Sequence, residues 1–124
     1  MPDIIDPTNS PVPISEPVTV YRGIRVCSNC TVLVDGSPLP IAPSLAIRRH
    51  SPTGFEWGYA GSGPAQLALA LLLHATGDAE LSERLYQRFK GRYVAGWRRS
   101  DWQITADEIR AWVADVEATI EGVA

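Results

Sequence analysis

The sequence predicts a single α+β domain in which a small antiparallel β-hairpin or meander packs against three α-helices. Strand-like residues with an Asp-Gly turn follow a proline-rich start, and three helical patterns occupy the rest of the chain. The 124 residues include 45% hydrophobic and 20% charged residues, which is typical of one globular domain of ~100–150 residues.

The start of the chain does not fit a folded core. Residues 1–17 hold five of the ten prolines, which remove backbone donors and favour extended conformations. This segment has little apolar surface to bury, so we expect a flexible proline-rich tail over residues 1–17. The α+β domain is then expected to span residues 18–124.

Two segments predict strands. "VTVYRGIRV" is rich in β-branched residues and partly alternating, as in a strand. In "TVLVDGSPLP", Asp35-Gly36 indicates a two-residue type I′ hairpin turn, which requires positive φ at both positions. Pro38 and Pro40 restrict the last strand to a sheet edge. We expect two or three short strands, and a sheet this small needs helices to cover it.

The first helix is predicted from Pro64, with Ser62 or Gly63 as its cap, to an end at Gly77. Its leucines between 67 and 73 surround the axis, which predicts burial on most sides. A second helix is predicted from 79 to 96, with one apolar arc formed by Leu81, Leu85, Tyr86, Phe89, Tyr93 and Trp97.

The third helix has the clearest start signal. Thr105 and Glu108 form a capping box, and Ile104 and Ile109 stand at the hydrophobic-staple positions.

Charge is distributed unevenly along the chain. The net charge of −3 gives no general attraction to nucleic acid. Residues 84–100 include six basic residues and no acidic ones, and six acidic residues follow from Asp101 onward. We expect the charges of these two adjacent segments to neutralise each other in the fold. A row formed by Arg84, Arg88 and Arg92 could instead contact phosphates. The aromatics of that helix are spaced for burial rather than base stacking, so nucleic-acid binding is not expected.

No segment predicts membrane insertion. The longest apolar run, Leu67 to Leu73, is far shorter than the ~20 residues of a membrane-spanning helix. The N-terminus lacks the basic and apolar regions of a secretory signal, which makes a cytoplasmic location the expectation.

Three stretches carry a family resemblance: "SPTGFEWGYAGSGPAQLALALL", "LYQRFKGRYVAG" and "DWQITADEI", preceded by the Asp-Gly hairpin. Together they resemble the DUF6166 family of small uncharacterised bacterial, phage and plasmid proteins. No activity is assigned to that family, so no catalytic residue can be carried over. The resemblance implies an accessory or counter-defence protein of a mobile element.

Cys27 and Cys30 form a CxxC pair. Zinc usually takes four ligands, and the remaining candidates, His50 and His74, match no common zinc spacing. Thioredoxin-like chemistry would require a helix start after a strand. Two reduced thiols flanking a turn are the preferred interpretation, with a labile disulfide or a metal as open alternatives. No metal or cofactor is predicted.

The glycine-rich loop before the first helix is the main candidate for a ligand site. Its glycines at 58, 61 and 63 match neither a dinucleotide fingerprint nor a P-loop. A helix N-terminus nevertheless exposes free N–H groups that attract anions. Alternatively, Glu56 or solvent satisfies those donors and Trp57 fills the core. The candidate ligand-binding residues are His50, Glu56, Trp57, Tyr59, Ser62, Gly63 and Gln66, with Trp57 or Tyr59 stacking on a ring.

Catalysis has little support in the sequence. His50 and Glu56 could serve a hydrolase or transferase, but Ser62 lies outside a GxSxG motif and no complete catalytic constellation is visible. We therefore expect a non-catalytic accessory protein that binds a protein partner. The alternative is a protein that binds a small anionic or nucleotide-like ligand at the start of the first helix.

Overall fold

A computed structural model describes residues 18–98 and 101–123, and its α+β architecture is the predicted one. The predicted tail and Arg99 lie outside these residues. The elements are β1 (Val20–Val26), β2 (Asn29–Val34), β3 (Ser37–Pro38), α1 (Ala42–Leu45), α2 (Ser62–Thr76), α3 (Ala79–Arg92), a 3-10 helix (Val94–Trp97), β4 (Trp102–Thr105) and α4 (Ala106–Val123).

The four strands form an antiparallel sheet in the order β3-β2-β1-β4. Val26 pairs with Asn29, so the β1–β2 hairpin turns at positions 27 and 28. The Asp-Gly turn follows β2, with φ of 49° at Asp35 and 85° at Gly36, as its sequence predicts. The Asp35 carboxylate also accepts a hydrogen bond from the Val20 N–H at 2.9 Å, which ties this turn to β1.

Strand β4 extends the sheet beyond the predicted two or three strands. It pairs with β1 in a register that places Gly23 opposite Trp102 and Tyr21 opposite Ile104. Its four residues, Trp-Gln-Ile-Thr, alternate between apolar and polar, but a run this short directly before a capping box did not predict a strand. Its formation therefore depends on tertiary packing, which buries both Trp102 and Ile104.

The helices form the core as predicted, with three local differences. Helix α2 begins at Ser62 with Gly61 as its N-cap, two residues before the predicted start and not with Ser62 or Gly63 as cap. Helix α2 is buried on nearly all sides, and Leu67, Leu69, Leu71 and Leu72 are fully inaccessible. Helix α3 ends at Arg92 rather than at 96, because the chain tightens into a 3-10 turn that buries Val94. Helix α1, a single turn containing Pro43, was not predicted.

The start of α4 confirms the predicted capping box. The Thr105 hydroxyl accepts a hydrogen bond from the Glu108 N–H at 3.0 Å, and the Glu108 carboxylate accepts one from the Thr105 N–H at 2.9 Å. Ile104 and Ile109 are both buried, as the hydrophobic staple requires. Within the described ranges, no helix is long and apolar enough to cross a membrane.

The helices of the described ranges cover one face of the sheet. Tyr21 of β1, Val32 of β2 and Trp102 of β4 point toward the helices and are buried. None of the side chains that alternate to the opposite face is buried. We call this second surface the open face, and its central residues are Arg22, Ile24, Val26, Thr31 and Leu33.

Tyr21 links the sheet to α2 and makes stability sensitive to alkaline pH. Burial raises the pKa of its hydroxyl to about 12 from an ordinary value of 10.0, and the hydroxyl lies 2.8 Å from His74 Nδ1. The unfolded chain therefore loses this proton at a lower pH than the folded chain. We expect the free energy of unfolding to fall between pH 10 and pH 12.

Chemical denaturation at several pH values tests this expectation, with Tyr21→Phe as the matched variant. The variant should lose some stability at pH 8, because His74 loses its hydroxyl partner. The free energy of unfolding of the variant should also fall less between pH 10 and pH 12, because the hydroxyl that titrates there is absent. An identical pH dependence in both proteins would contradict the assignment to Tyr21.

Candidate functional site

A cleft of about 230 Å³ opens beside the loop that enters α2. Its lining residues come from two distant parts of the chain: Arg25 from β1, and Glu56, Trp57, Gly58 and Tyr59 from the glycine-rich loop. The loop was predicted from the sequence as a candidate site, but the contribution of β1 was not.

An ion pair between Arg25 and Glu56 contributes the charged groups of the cleft. Arg25 Nη2 donates to Glu56 Oε1 at 3.1 Å and to the Trp57 carbonyl at 3.3 Å. The guanidinium also lies over the Trp57 ring, 5.0 Å from its centroid. The Asp101 carboxylate accepts a hydrogen bond from the Arg25 backbone N–H at 2.9 Å. Glu56 and Trp57 therefore hold the guanidinium, and Asp101 holds the backbone of the same residue.

Cys30 lies opposite Arg25 in the β1–β2 register and beside Glu56. Burial and the nearby Glu56 carboxylate raise the pKa of the Cys30 thiol. Burial alone would raise the pKa of Glu56 too, but hydrogen bonding to Cys30 and Arg25, with the charge of Arg25, holds it below its usual value. At neutral pH the cleft therefore contains a carboxylate and a guanidinium, with a protonated thiol beside the carboxylate.

The two cysteines should differ strongly in reactivity. Cys27 is exposed in the turn, whereas Cys30 is partly buried and its thiolate is disfavoured by Glu56. In single-cysteine variants made by Cys27→Ser or Cys30→Ser, we expect iodoacetamide at pH 7.5 to alkylate Cys27 about tenfold faster or more. Mass spectrometry of the alkylated fraction over time measures the two rates.

A further substitution tests the cause of that difference. Glu56→Gln removes the negative charge beside the thiol, so it should accelerate alkylation of Cys30 and leave Cys27 unchanged. Equal rates for both cysteines, or no response of Cys30 to Glu56→Gln, would contradict this account.

Two of the predicted ligand contacts are structural residues instead. Trp57 is only 1% exposed and packs edge-on against Trp102 at a centroid distance of 5.6 Å. Trp57 therefore fills the core, which is the alternative that the sequence left open. Gln66 is fully buried.

Gln66 instead connects α2 to the two segments that precede it. Its Oε1 accepts hydrogen bonds from the N–H groups of His50 at 2.7 Å and Ser51 at 3.0 Å. Its Nε2 donates to the Ser44 hydroxyl at 2.8 Å and to the Arg48 carbonyl at 3.1 Å. The amide is fully used in holding α1 and the following loop against α2.

The remaining loop residues lie at the start of α2. Tyr59 and Ser62 are exposed, while Gly63 is buried against Glu56, whose Cβ would lie 2.5 Å from any Cβ added at position 63. Residue 63 must therefore be glycine for Glu56 to reach Arg25. Among the described residues, no acceptor pairs the N–H groups of Ser62 and Gly63. The predicted anion-binding feature is present in this limited form.

His50 and Glu56 hydrogen-bond to different partners. His50 Nε2 lies 2.6 Å from the Tyr86 hydroxyl, and the His50 backbone N–H donates to Gln66 Oε1. Glu56 is bound by Arg25. A hydrolase or transferase would need His50 and Glu56 to act on one substrate. The separate hydrogen-bond partners of the two residues give this interpretation no support.

The predicted basic row lies on α3, and all three of its arginines are exposed. Arg84 pairs with Glu117 of α4 at 3.0 Å, as expected from the opposite charges of the two segments. Arg92 lies over the Tyr93 ring at 4.6 Å. Within the described part of the chain, no cluster of three or more His, Cys, Asp or Glu residues could hold a metal ion.

Sequence reasoning missed Arg25 as a cleft residue and Cys30 as the neighbour of Glu56. Position 25 lies two residues after Gly23 and four after Tyr21 along β1. It therefore shares their face of the sheet, which the helices cover. A charged residue at an inward position of a strand requires a partner, and this signal could have drawn attention to Arg25.

Residues 21–115 match the sequence model of DUF6166, which is described as a family of unknown function. No curated protein and no solved structure matches the chain.

Proposed function

The chain belongs to the DUF6166 family of unknown function, and we propose that it is a non-catalytic protein that binds a partner protein through its open face. The supporting observation is the apolar surface that the helices leave uncovered. Val26 is 63% exposed. Ile24 and Leu33 are half-buried, and neither is among the residues that pack against the hydrophobic core. Exposed apolar patches on soluble proteins are typical of interaction sites.

The open face also suggests the chemistry of the partner. Arg22 is exposed on this face and lies opposite Leu33 in the β1–β2 register, next to the apolar residues. A complementary surface would have an apolar centre and a carboxylate that reaches Arg22. A partner with this composition would bury the apolar side chains and pair the guanidinium.

The side chains that could perform acid–base or nucleophilic chemistry support the non-catalytic assignment. His50 and His74 are each hydrogen-bonded to a tyrosine hydroxyl, and Glu56 is paired with Arg25. Because the Cys30 thiol is held protonated, it is a poor nucleophile at neutral pH. We accordingly place the protein among cytoplasmic accessory proteins, with mobile elements as its proposed genetic setting.

An anionic small ligand at the start of α2 is a second candidate function. The N–H groups of Ser62 and Gly63, for which the described part of the chain has no acceptor, favour it, and Tyr59 lies nearby. Trp57 and Gln66 no longer contribute, so the affinity would depend mainly on the helix N-terminus. Titration with inorganic phosphate, followed by amide NMR of residues 61–63, tests this candidate directly.

Site-specific photocrosslinking tests the partner-binding proposal. A photoreactive amino acid is placed at position 24 or 33 on the open face, and at the exposed Gln87 of α3 as the matched control. In cells that express the protein, we expect one partner to be crosslinked from positions 24 and 33 but not from 87. The purified partner should then bind the Ile24→Lys variant at least tenfold more weakly than the wild type. Equal crosslinking from position 87, or wild-type affinity for Ile24→Lys, would refute the proposal.

A further inference from the structure

The Arg25–Glu56 pair is poorly explained by fold stability alone. The Arg25 side chain is only 12% exposed, and its Nε atom is buried without a hydrogen-bond partner among the described residues. A largely buried ion pair contributes little net stability, and an unpaired buried donor lowers stability. A pair kept under these conditions is a candidate for recognition, since both residues line the cleft.

The two charged groups present complementary hydrogen-bonding capacity side by side. Glu56 is 35% exposed. Its carboxylate accepts from Arg25 through Oε1 and also interacts with the Cys30 thiol and the Trp57 backbone N–H. Because a carboxylate has about four acceptor positions, its accessible side retains acceptor capacity. Among the described residues, the guanidinium donates to Glu56 and to the Trp57 carbonyl through Nη2 and also interacts with Cys30. Its five N–H groups therefore retain donor capacity. Because the pair is neutral overall, a neutral ligand with adjacent donors and an acceptor fits it better than a simple anion.

The volume of the cleft limits the size of such a ligand. Its 230 Å³ exceeds the ~150 Å³ of a cavity that holds one benzene ring. It is smaller than the ~300–1,000 Å³ typical of sites for drug-sized molecules. The cleft is therefore suited to one planar ring system.

Tyr59 provides an aromatic surface at the same place. Its residue is 51% exposed, and its ring lies close to Gly61, where an added Cβ would be 2.6 Å from Cε2. Packing against Gly61 supports the ring while about half of the residue stays accessible to a ligand. An accessible tyrosine beside a polar cleft is the arrangement used to stack a base.

We propose that this cleft binds a guanine base, with Glu56 accepting its two adjacent N–H donors, Arg25 donating to its carbonyl oxygen and Tyr59 stacking on its ring. Guanine is the common base that carries a carbonyl beside two neighbouring donors on one edge. The site lies on the helix-covered side of the sheet, so it is independent of the open face proposed to bind a protein.

Amide NMR titration of the full chain with guanosine, inosine and adenosine tests the proposal. We expect saturable shifts at residues 56–59 with guanosine. Inosine lacks the amino donor that faces Glu56 and should bind about tenfold more weakly. Adenosine presents the opposite donor and acceptor order and should bind more weakly still. The nucleosides carry no phosphate, so binding at the helix N-terminus cannot account for these shifts.

Two variants at the exposed position 59 form a matched pair. Tyr59→Phe keeps the ring and should retain affinity, whereas Tyr59→Ala should weaken guanosine binding about fivefold or more. Three outcomes would overturn the proposal: no shifts with guanosine at about millimolar concentration, equal affinity for guanosine and inosine, or an unchanged affinity in Tyr59→Ala. Binding of guanosine monophosphate without binding of guanosine would also overturn it, because the phosphate would then be the recognised group.

Discussion

The Gly58→Ala variant is expected to lose about 3 kcal/mol or more of its free energy of unfolding. Gly58 has a φ of 92°, which side-chain-bearing residues rarely adopt. A Cβ at this position would lie 2.0 Å from the Arg98 carbonyl oxygen, which belongs to the backbone and cannot rotate away. The Gly58 N–H also donates to the Val94 carbonyl at 3.1 Å, so the loop cannot move without losing this bond.

Gly91→Ala is the matched control for this substitution. Gly91 is exposed within α3, and no neighbouring atom would contact an added Cβ. We expect this variant to gain up to ~1 kcal/mol through the higher helix propensity of alanine. Urea denaturation of the three proteins measures both effects. A loss below about 1 kcal/mol in Gly58→Ala would mean that the loop does not depend on its contact with Arg98.

The second large effect is expected for Gln66→Leu. Leucine keeps a similar volume in the buried position but cannot replace any of the four hydrogen bonds of the amide. The N–H groups of His50 and Ser51 and the Arg48 carbonyl would lose their partner. Each unsatisfied buried group costs about 1–3 kcal/mol, and part of that cost is relieved by water because the segment is only half-buried. We expect a loss of about 3 kcal/mol or more.

Gln87→Leu is the control for Gln66→Leu, since Gln87 is exposed on α3. Its stability should stay within about 0.5 kcal/mol of the wild type. Hydrogen exchange should also show faster exchange of the His50 and Ser51 amides in Gln66→Leu than in the wild type. If both glutamine variants were equally stable, the network around Gln66 would not be the connection that positions this segment.

Local signals in the sequence predicted the elements that depend on local chemistry. The Asp35-Gly36 turn and the Thr105–Glu108 capping box each need only a few neighbouring residues, and both are present. Strand β4 could not be found in this way, because the strand it pairs with among the described residues is the distant β1. The 3-10 turn after α3 likewise follows from the burial of Val94 rather than from its own sequence.

The candidate site shows the same limit. The glycine-rich loop contains four of the five cleft residues and could be recognised as unusual. The roles of its side chains could not be assigned, because the sequence does not reveal which of Trp57 and Tyr59 faces the core. Arg25 and Cys30 are far from the loop in sequence and reach it only through the sheet register.

The pairing of β1 with β4 has a consequence for synthesis on the ribosome. At ~5–20 residues per second, the ~80 residues between Gly23 and Trp102 take roughly 4–16 s to translate. Until then the nascent chain has the first hairpin without its last strand, and Trp57 lacks the indole that covers it. Newly made chains therefore present aromatic surface to chaperones for several seconds before the domain can close.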